Sequence, residues 1–362
     1  MVVFTVPKIY ENRVGAIQDI GKYARELGQK ILVIGGEIAL KKTEVIISKS
    51  LEKSALMATF ETFTGFPTLA KAQSYAEKIK SEHYDVVIGV GGGRAIDQAK
   101  AASELAQVPL ITVPTIAATC AAWAAVAILY DDVGSFTQPL FHQVGPRVIL
   151  VDTEIVLSAP ERFVYAGVID TLAKRYEISP YLGLDKGNMT FQVMVDLSER
   201  AFDTLLTYTQ SVLTEARAGS YTDSGKLVLD AIIYLAGLTG SFQTGRLYQG
   251  LGHPFYNAAT YFPATHKFLH GELVGFGLLL QDEVQGQLTE DKLALFGQFN
   301  NLWTLSDLGF NDKQQVAALA ETVIDKFGSI YEALPLTQDA ERLAQAMFTT
   351  NEKIEKTLRS KV

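Results

Sequence analysis

The sequence is poor in the residues that staple or anchor a chain. Its single cysteine, Cys120, can form no disulfide within the chain. It has no Lys/Arg cluster, and 40 acidic against 32 basic residues leave a net charge of −8. A nucleic acid or an anionic membrane surface is therefore a poor partner, and any bound anion must be held locally. No apolar run is long enough to span a bilayer: Pro114 to Tyr130 is short and broken by Pro and Thr, so it reads as buried core. The opening residues lack the charged start, apolar core and small-residue cleavage site of a secretory leader. With the lone cysteine, this leads us to expect a cytoplasmic protein. What remains is a 362-residue chain with 48% apolar residues, enough for two globular domains.

The pattern of those apolar residues changes along the chain. Ile31 to Ile34, Val86 to Val90, Leu110 to Val113 and Val148 to Val151 are short, rich in β-branched residues and bounded by Gly, Pro or charge, so each predicts a buried strand. Val14 to Leu27 and Thr68 to Glu82 carry helical spacing between them, giving a βαβ succession and a parallel sheet. Beyond about residue 160 helical segments dominate: Phe191 to Ala218, Gly225 to Leu238, Lys292 to Phe299 and Asp312 to Phe327. Ser158-Ala159-Pro160-Glu161 predicts a helix start and marks the boundary. The expectation is an α/β domain over residues 1–160 and an all-α domain over 161–362, with a ligand cleft between them.

Two segments suggest what the cleft binds. Val86 to Val90 runs into Gly91, Gly92 and Gly93 and then a helix, a place where backbone N–H groups and a helix N-terminus can cradle a diphosphate. It is neither a P-loop, since no GK[ST] follows, nor a regular GxGxxG; a plain strand-to-helix turn would look the same. Val113-Pro114-Thr115-Ile116-Ala117-Ala118-Thr119 is a second strand end opening into small and hydroxyl residues, as expected at the carboxyl edge of an open sheet.

The chain has five histidines, and His253, His266 and His270 fall within 18 residues. His266 and His270, four apart, would share a helix face, and no HExxH accompanies them. Asp170 interrupts an apolar helical face. Taken singly, each is equally well a capped turn or a solvated residue.

Together, Gly91-Gly92-Gly93 with Asp97 and Lys100, Pro114-Thr115-Ile116-Ala117, Ala166-Gly167 with Asp170 and Ala173-Lys174, and Thr265-His266 with His270-Gly271-Glu272, Val274 and Phe276-Gly277 resemble the iron-containing alcohol dehydrogenase superfamily. The resemblance is to its glycerol-dehydrogenase branch and covers most of the chain. It implies a Rossmann-like dinucleotide-binding domain followed by a helical domain, in a dehydroquinate-synthase-like architecture. It also implies a self-associating enzyme acting on a small molecule, with Asp170, His253 and His270 holding a divalent ion that polarises the substrate oxygen. Zn²⁺ is the favoured occupant, with Fe²⁺ or Ni²⁺ as alternatives. The dinucleotide would lie on Gly36, Gly91, Gly92, Gly93, Arg94, Asp97, Thr115, Ile116, Thr119 and Tyr130. His266 corresponds to a position near the site that is not a ligand.

Three departures from that pattern bear on function. Cys120 stands where glycerol dehydrogenases carry an Asp that contacts the polyol, which removes both a hydroxyl acceptor and a repulsion toward anionic substrates. The wording around it is similar to members that reduce 2-oxo acids, and Arg246 is a candidate carboxylate anchor, though a surface charge would read the same way. Gly36 replaces the Asp with which NAD-preferring relatives bind the ribose, leaving room for a 2′-phosphate near Lys41 or Lys42, although Glu37 opposes it; the expectation is NAD(P) with NADP slightly favoured. Tyr256 stands where relatives often have a second histidine three residues after His253. The expected activity is hydride transfer between nicotinamide and a 2-hydroxy or 2-oxo acid. The alternatives are a polyol dehydrogenase and a nucleotide-binding relative without turnover.

Overall fold

The computed structural model describes residues 3–243, 247–328 and 339–360. Six strands form one parallel sheet: β1 (Ile9–Arg13), β2 (Lys30–Gly36), β3 (Met57–Phe63), β4 (Val86–Gly91), β5 (Leu110–Pro114) and, after a hairpin of β6 (Val126–Tyr130) and β7 (Phe136–Phe141), β8 (Val148–Asp152). Their spatial order is β1-β8-β5-β4-β2-β3. Strands β4, β5 and β8 are buried throughout and β2 at all but its ends, as their unbroken β-branched runs require. The chain steps from β2 outward to β3, then returns past β2 to β4. The sheet order thus reverses between β2 and β4, and the crevice outside their carboxyl ends is where open α/β sheets take a ligand.

The helices α1 (Glu37–Lys53) and α3 (Gly93–Ala106) start at this crevice; α2 (Leu69–Ser81) lies between them in the chain. From Glu161 the described residues are mainly helical: α4 (Glu161–Ile178), α5 (Met189–Arg217), α6 (Gly252–Ala259), α7 (His270–Val284), α8 (Glu290–Gln298), α9 (Lys313–Phe327) and α10 (Ala340–Arg359). The stretch 223–239 is helical as expected, but Asp230–Leu235 winds as a π-helix. There Asp230 accepts hydrogen bonds from Tyr10 and Asn12 on β1. One apolar core joins the two halves, with Ile96, Ile149 and Val151 packing among Val168, Leu172, Phe255 and Phe276.

Three glycines set how closely the helices carrying the histidines and Asp170 approach. A Cβ at Gly167 would lie 1.9 Å from the carbonyl oxygen of Ala117, and one at Gly271 would lie 1.9 Å from that of Ala166. At Gly275 it would meet Asn301 Oδ1 at 1.9 Å. Backbone therefore packs on backbone where α4 crosses α7 and where the loop after β5 rests on α4. No helix among the described residues is long and apolar enough to cross a membrane.

Candidate metal and nucleotide site

Gly36 ends β2 and Gly91 ends β4, side by side across the switch point; a Cβ on Gly91 would stand 3.6 Å from the Gly36 amide nitrogen. Gly91 has φ +139°, a conformation that disfavours any side chain. Helices α2, α5, α8, α9 and α10 are capped by Thr68, Asn188, Thr289, Asp312 and Asp339. Gly36 and Gly92 cap α1 and α3 with no side-chain hydrogen bond, as Pro160 and Leu251 do α4 and α6, but only α1 and α3 start at the crevice, where their first-turn N–H groups are left for an anion. The Thr115 amide donates to Gly91 O at 3.1 Å, tying the loop after β5 to this turn. Ile116 packs over Gly92, and Thr119 lies beside Gly93 while accepting from the Ala121 amide. Of the residues named for the dinucleotide, Gly36, Gly91, Gly92, Gly93, Thr115, Ile116 and Thr119 lie together at this crevice. Asp97 is the one drawn inward: it pairs with buried Lys100 at 2.7 Å and accepts from the Ile128 amide, fastening α3 to the hairpin.

Farther along the cleft, ligand atoms of Asp170, His253 and His270 lie within 4.8 Å of one another. Asp170 comes from the buried face of α4, His253 from the first turn of α6, and His270 is the first residue of α7. Asp170 Oδ1 stands 3.0 Å from His270 Nε2 and 3.5 Å from His253 Nε2, yet this buried oxygen accepts no well-directed hydrogen bond. A buried carboxylate oxygen without a hydrogen-bond donor is costly unless a cation satisfies it. One carboxylate and two imidazoles are a donor set suited to a borderline divalent ion, with positions to spare for a substrate oxygen. These residues fit a catalytic metal.

Glu177, two turns further along α4, was not anticipated. Its carboxylate accepts from the His253 amide at 2.9 Å and lies 2.6 Å from His253 Nδ1, fixing the ring so that Nε2 faces Asp170. The signal was present: Asp170 and Glu177 are seven residues apart on one helix and share a face. Burial would raise Asp170, but the imidazoles of His270 and His253 and the Lys174 ammonium outweigh it and hold the carboxyl below the usual range. Burial would likewise depress His253, but Glu177 and Asp170 lift it to about 9.

The walls of the site are aromatic. The Tyr256 ring meets His270 edge-on at 4.1 Å, and its hydroxyl lies 2.7 Å from that of Tyr130. Tyr130 packs on Phe66, over which the Arg94 guanidinium sits at 4.2 Å, so Tyr130 and Arg94, both named for the nucleotide, line one wall with Tyr256. His266 turns away from the metal ligands: its Nε2 lies 2.8 Å from the carbonyl oxygen of Thr260, and its ring touches Phe66. Cys120 is half-buried on the loop that rests on α4; burial raises its thiol pKa, with Lys174 and Asp170 near enough to act on it. Arg246 lies outside the described residues.

Residues 7–153 match the family model for iron-containing alcohol dehydrogenase. The chain is 32% identical over 286 residues to hydroxycarboxylate dehydrogenase A of Escherichia coli, covering 75% of this chain and 78% of the relative. It is 31% identical over 279 residues to a glycerol dehydrogenase of Pseudomonas putida, covering 76% and 75%. The fold matches a probable glycerol dehydrogenase from Sinorhizobium meliloti 1021 with TM-score 0.86 and 23% identity, over 98% of this chain and 99% of that one. The chain belongs to the iron-containing alcohol dehydrogenase family, a family of oxidoreductases, within its glycerol-dehydrogenase-like branch.

Proposed function

We propose that the protein transfers hydride between NAD(P) and a small 2-hydroxy acid or its 2-oxo counterpart, with Asp170, His253 and His270 holding a divalent ion. The observation that carries the reading is the convergence of those three residues around a buried carboxylate oxygen that, among the described residues, accepts no well-directed hydrogen bond. When bound, the ion supplies Lewis acidity toward the substrate oxygen, and the nicotinamide supplies or accepts the hydride.

The chain's own residues do the rest. The uncapped N-termini of α1 and α3 hold the diphosphate, Glu177 keeps His253 turned toward the site, and the hydrogen-bonded Tyr130 and Tyr256 present a hydroxyl at the wall. Cys120, a neutral thiol in place of a carboxylate, leaves the substrate side open to an anion. A Cβ at Gly36 would meet nothing closer than Ala95 at 4.0 Å, so the ribose side has space for a 2′-phosphate. Lys41 is held by Glu37 at 2.7 Å, which leaves Lys42 as the available cation.

A polyol dehydrogenase is the second reading, favoured by the relative from Pseudomonas putida, whose identity is about that of the hydroxycarboxylate enzyme. NAD(P)H oxidation with 2-oxobutanoate and with dihydroxyacetone separates the two. The proposal expects higher kcat/KM for 2-oxobutanoate, and a strong preference for dihydroxyacetone overturns it. Gly36→Asp is expected to shift the NADP/NAD ratio toward NAD by repelling the 2′-phosphate; an unchanged ratio means that the ribose is read elsewhere.

A further inference from the structure

The donor set explains Asp170, His253, His270 and Glu177, but not the cation beside them. Lys174 lies on α4 four residues after Asp170 and three before Glu177, on the helix face that turns toward the site. It is half-buried, and among the described residues its ammonium makes no hydrogen bond or ion pair. An unpaired ammonium in a cleft beside two buried carboxylates is left to water or to a bound anion. Burial would depress it, but the Asp170 and Glu177 carboxylates are among the groups that raise it on balance, so it remains charged.

A charge count indicates what would pair with it. Asp170 and Glu177 contribute two negative charges, which a divalent ion balances; Lys174 then leaves one positive charge uncompensated. A monoanionic substrate cancels it, whereas a neutral polyol or aldehyde does not. Position agrees with charge. In a 2-oxo acid the carboxylate carbon is bonded directly to the carbonyl carbon, so its cation must lie close to the metal ligands. Side chains four apart on a helix have Cβ atoms about 5–6 Å apart. The loop bearing Cys120 faces Lys174 from the other side, resting on α4 through the Gly167–Ala117 contact, and offers a small neutral thiol where a carboxylate would compete for the ammonium.

We infer that Lys174 binds the substrate carboxylate and is the residue that selects 2-oxo acids over neutral carbonyl compounds. This rests on the substrate class proposed above and assigns its recognition to a residue inside the site.

The test compares wild type, Lys174→Gln and Lys174→Arg, each loaded with zinc, on 2-oxobutanoate and on dihydroxyacetone. Calorimetric binding of oxamate in the presence of NAD(P)H, metal content and thermal melting complete the comparison. Lys174→Gln is expected to lower kcat/KM for 2-oxobutanoate by about 10- to 100-fold, mainly through KM, and to weaken oxamate to a similar degree. Dihydroxyacetone turnover is expected to fall by less, so that the 2-oxobutanoate/dihydroxyacetone ratio of kcat/KM drops about 10-fold or more in metal-loaded protein, and Lys174→Arg to recover part of that ratio. Equal loss on both substrates, or unchanged oxamate binding in a folded and metal-loaded Lys174→Gln protein, overturns the assignment. If wild type itself reduces dihydroxyacetone but not 2-oxobutanoate, the substrate class fails before Lys174 is altered. If wild type reduces 2-oxobutanoate and Lys174→Gln keeps its selectivity, the Lys174 assignment alone fails.

Discussion

Replacing Gly271 by alanine adds one methyl group, yet it is expected to disturb the metal site. The new Cβ would lie 1.9 Å from the Ala166 carbonyl oxygen and 2.7 Å from its carbon. These are backbone atoms of a packed helix, so no side chain can swing aside. Bringing the contact to even 3.0 Å requires α4 and α7 to part by roughly 1 Å. His270 is the neighbouring residue on α7, and Asp170 lies one turn beyond Ala166 on α4, so the parting separates two of the proposed ligands. Metal–ligand distances tolerate only about 0.2 Å. Overpacking of this kind costs about 1–3 kcal/mol, against at most about 1 kcal/mol gained from the better helix propensity of alanine. A misplacement near 1 Å lowers turnover about 100-fold. The assay is metal titration followed by calorimetry, with kcat and Tm measured beside it. Gly183→Ala, where a Cβ would meet nothing within 4 Å, is the control. Wild-type metal affinity and Tm in Gly271→Ala would refute the claim that backbone packing sets the ligand geometry.

The residues around the site carry further expectations. Glu177→Gln removes the charge that orients His253 and is expected to weaken zinc binding about 10- to 100-fold with the fold intact, read by competition with a chromophoric chelator. His142 is buried, and burial together with Lys100 lowers its pKa from 6.5 to about 3. Its protonation therefore favours the unfolded chain: this part of the stability is whole above pH 6.5 and is lost as pH falls from there toward 3. At pH 5 the loss is at most about 2 kcal/mol, since Glu104 Oε2 stands 3.8 Å from Nδ1 and offsets some of it. Urea unfolding at pH 7.5 and pH 5 is expected to show a smaller acid penalty in His142→Gln than in wild type; equal penalties would remove His142 from the account.

The parts of the fold legible in the sequence are those whose side chains face apolar surroundings on both sides. Strands β2, β4, β5 and β8 announce themselves as β-branched runs because helices cover both faces of the sheet. The edge strands do not: β1 reads Ile-Tyr-Glu-Asn-Arg, and β3 is exposed over most of its length, so neither needs a continuous apolar run. The β6–β7 hairpin was hidden for a related reason. Its second strand carries Pro139 among exposed polar residues, and its first ends the run from Pro114 that reads only as core.

In the site, Asp170, His253 and His270 were reachable through residue type and family pattern. Their approach depends instead on glycines whose role appears only once α4 and α7 are in contact. Glu177 and Lys174 carried a positional signal, one helix face shared with Asp170, but charged residues on a helix are ordinarily solvated, so spacing alone does not single them out. Arg246, the carboxylate anchor expected from the sequence, lies outside the described residues, and the role we infer for Lys174 rests on its sharing a helix with Asp170.

The central claim is that Asp170, His253 and His270 hold a divalent ion on which hydride transfer depends. Its most direct test strips wild type and His270→Ala of metal, then adds zinc back while NAD(P)H oxidation by a carbonyl substrate is followed. The account predicts that stripped wild type is inactive and regains activity up to about one zinc per chain, while folded His270→Ala neither binds that zinc tightly nor recovers. Full activity in metal-free wild type, or wild-type zinc affinity in His270→Ala, would contradict it.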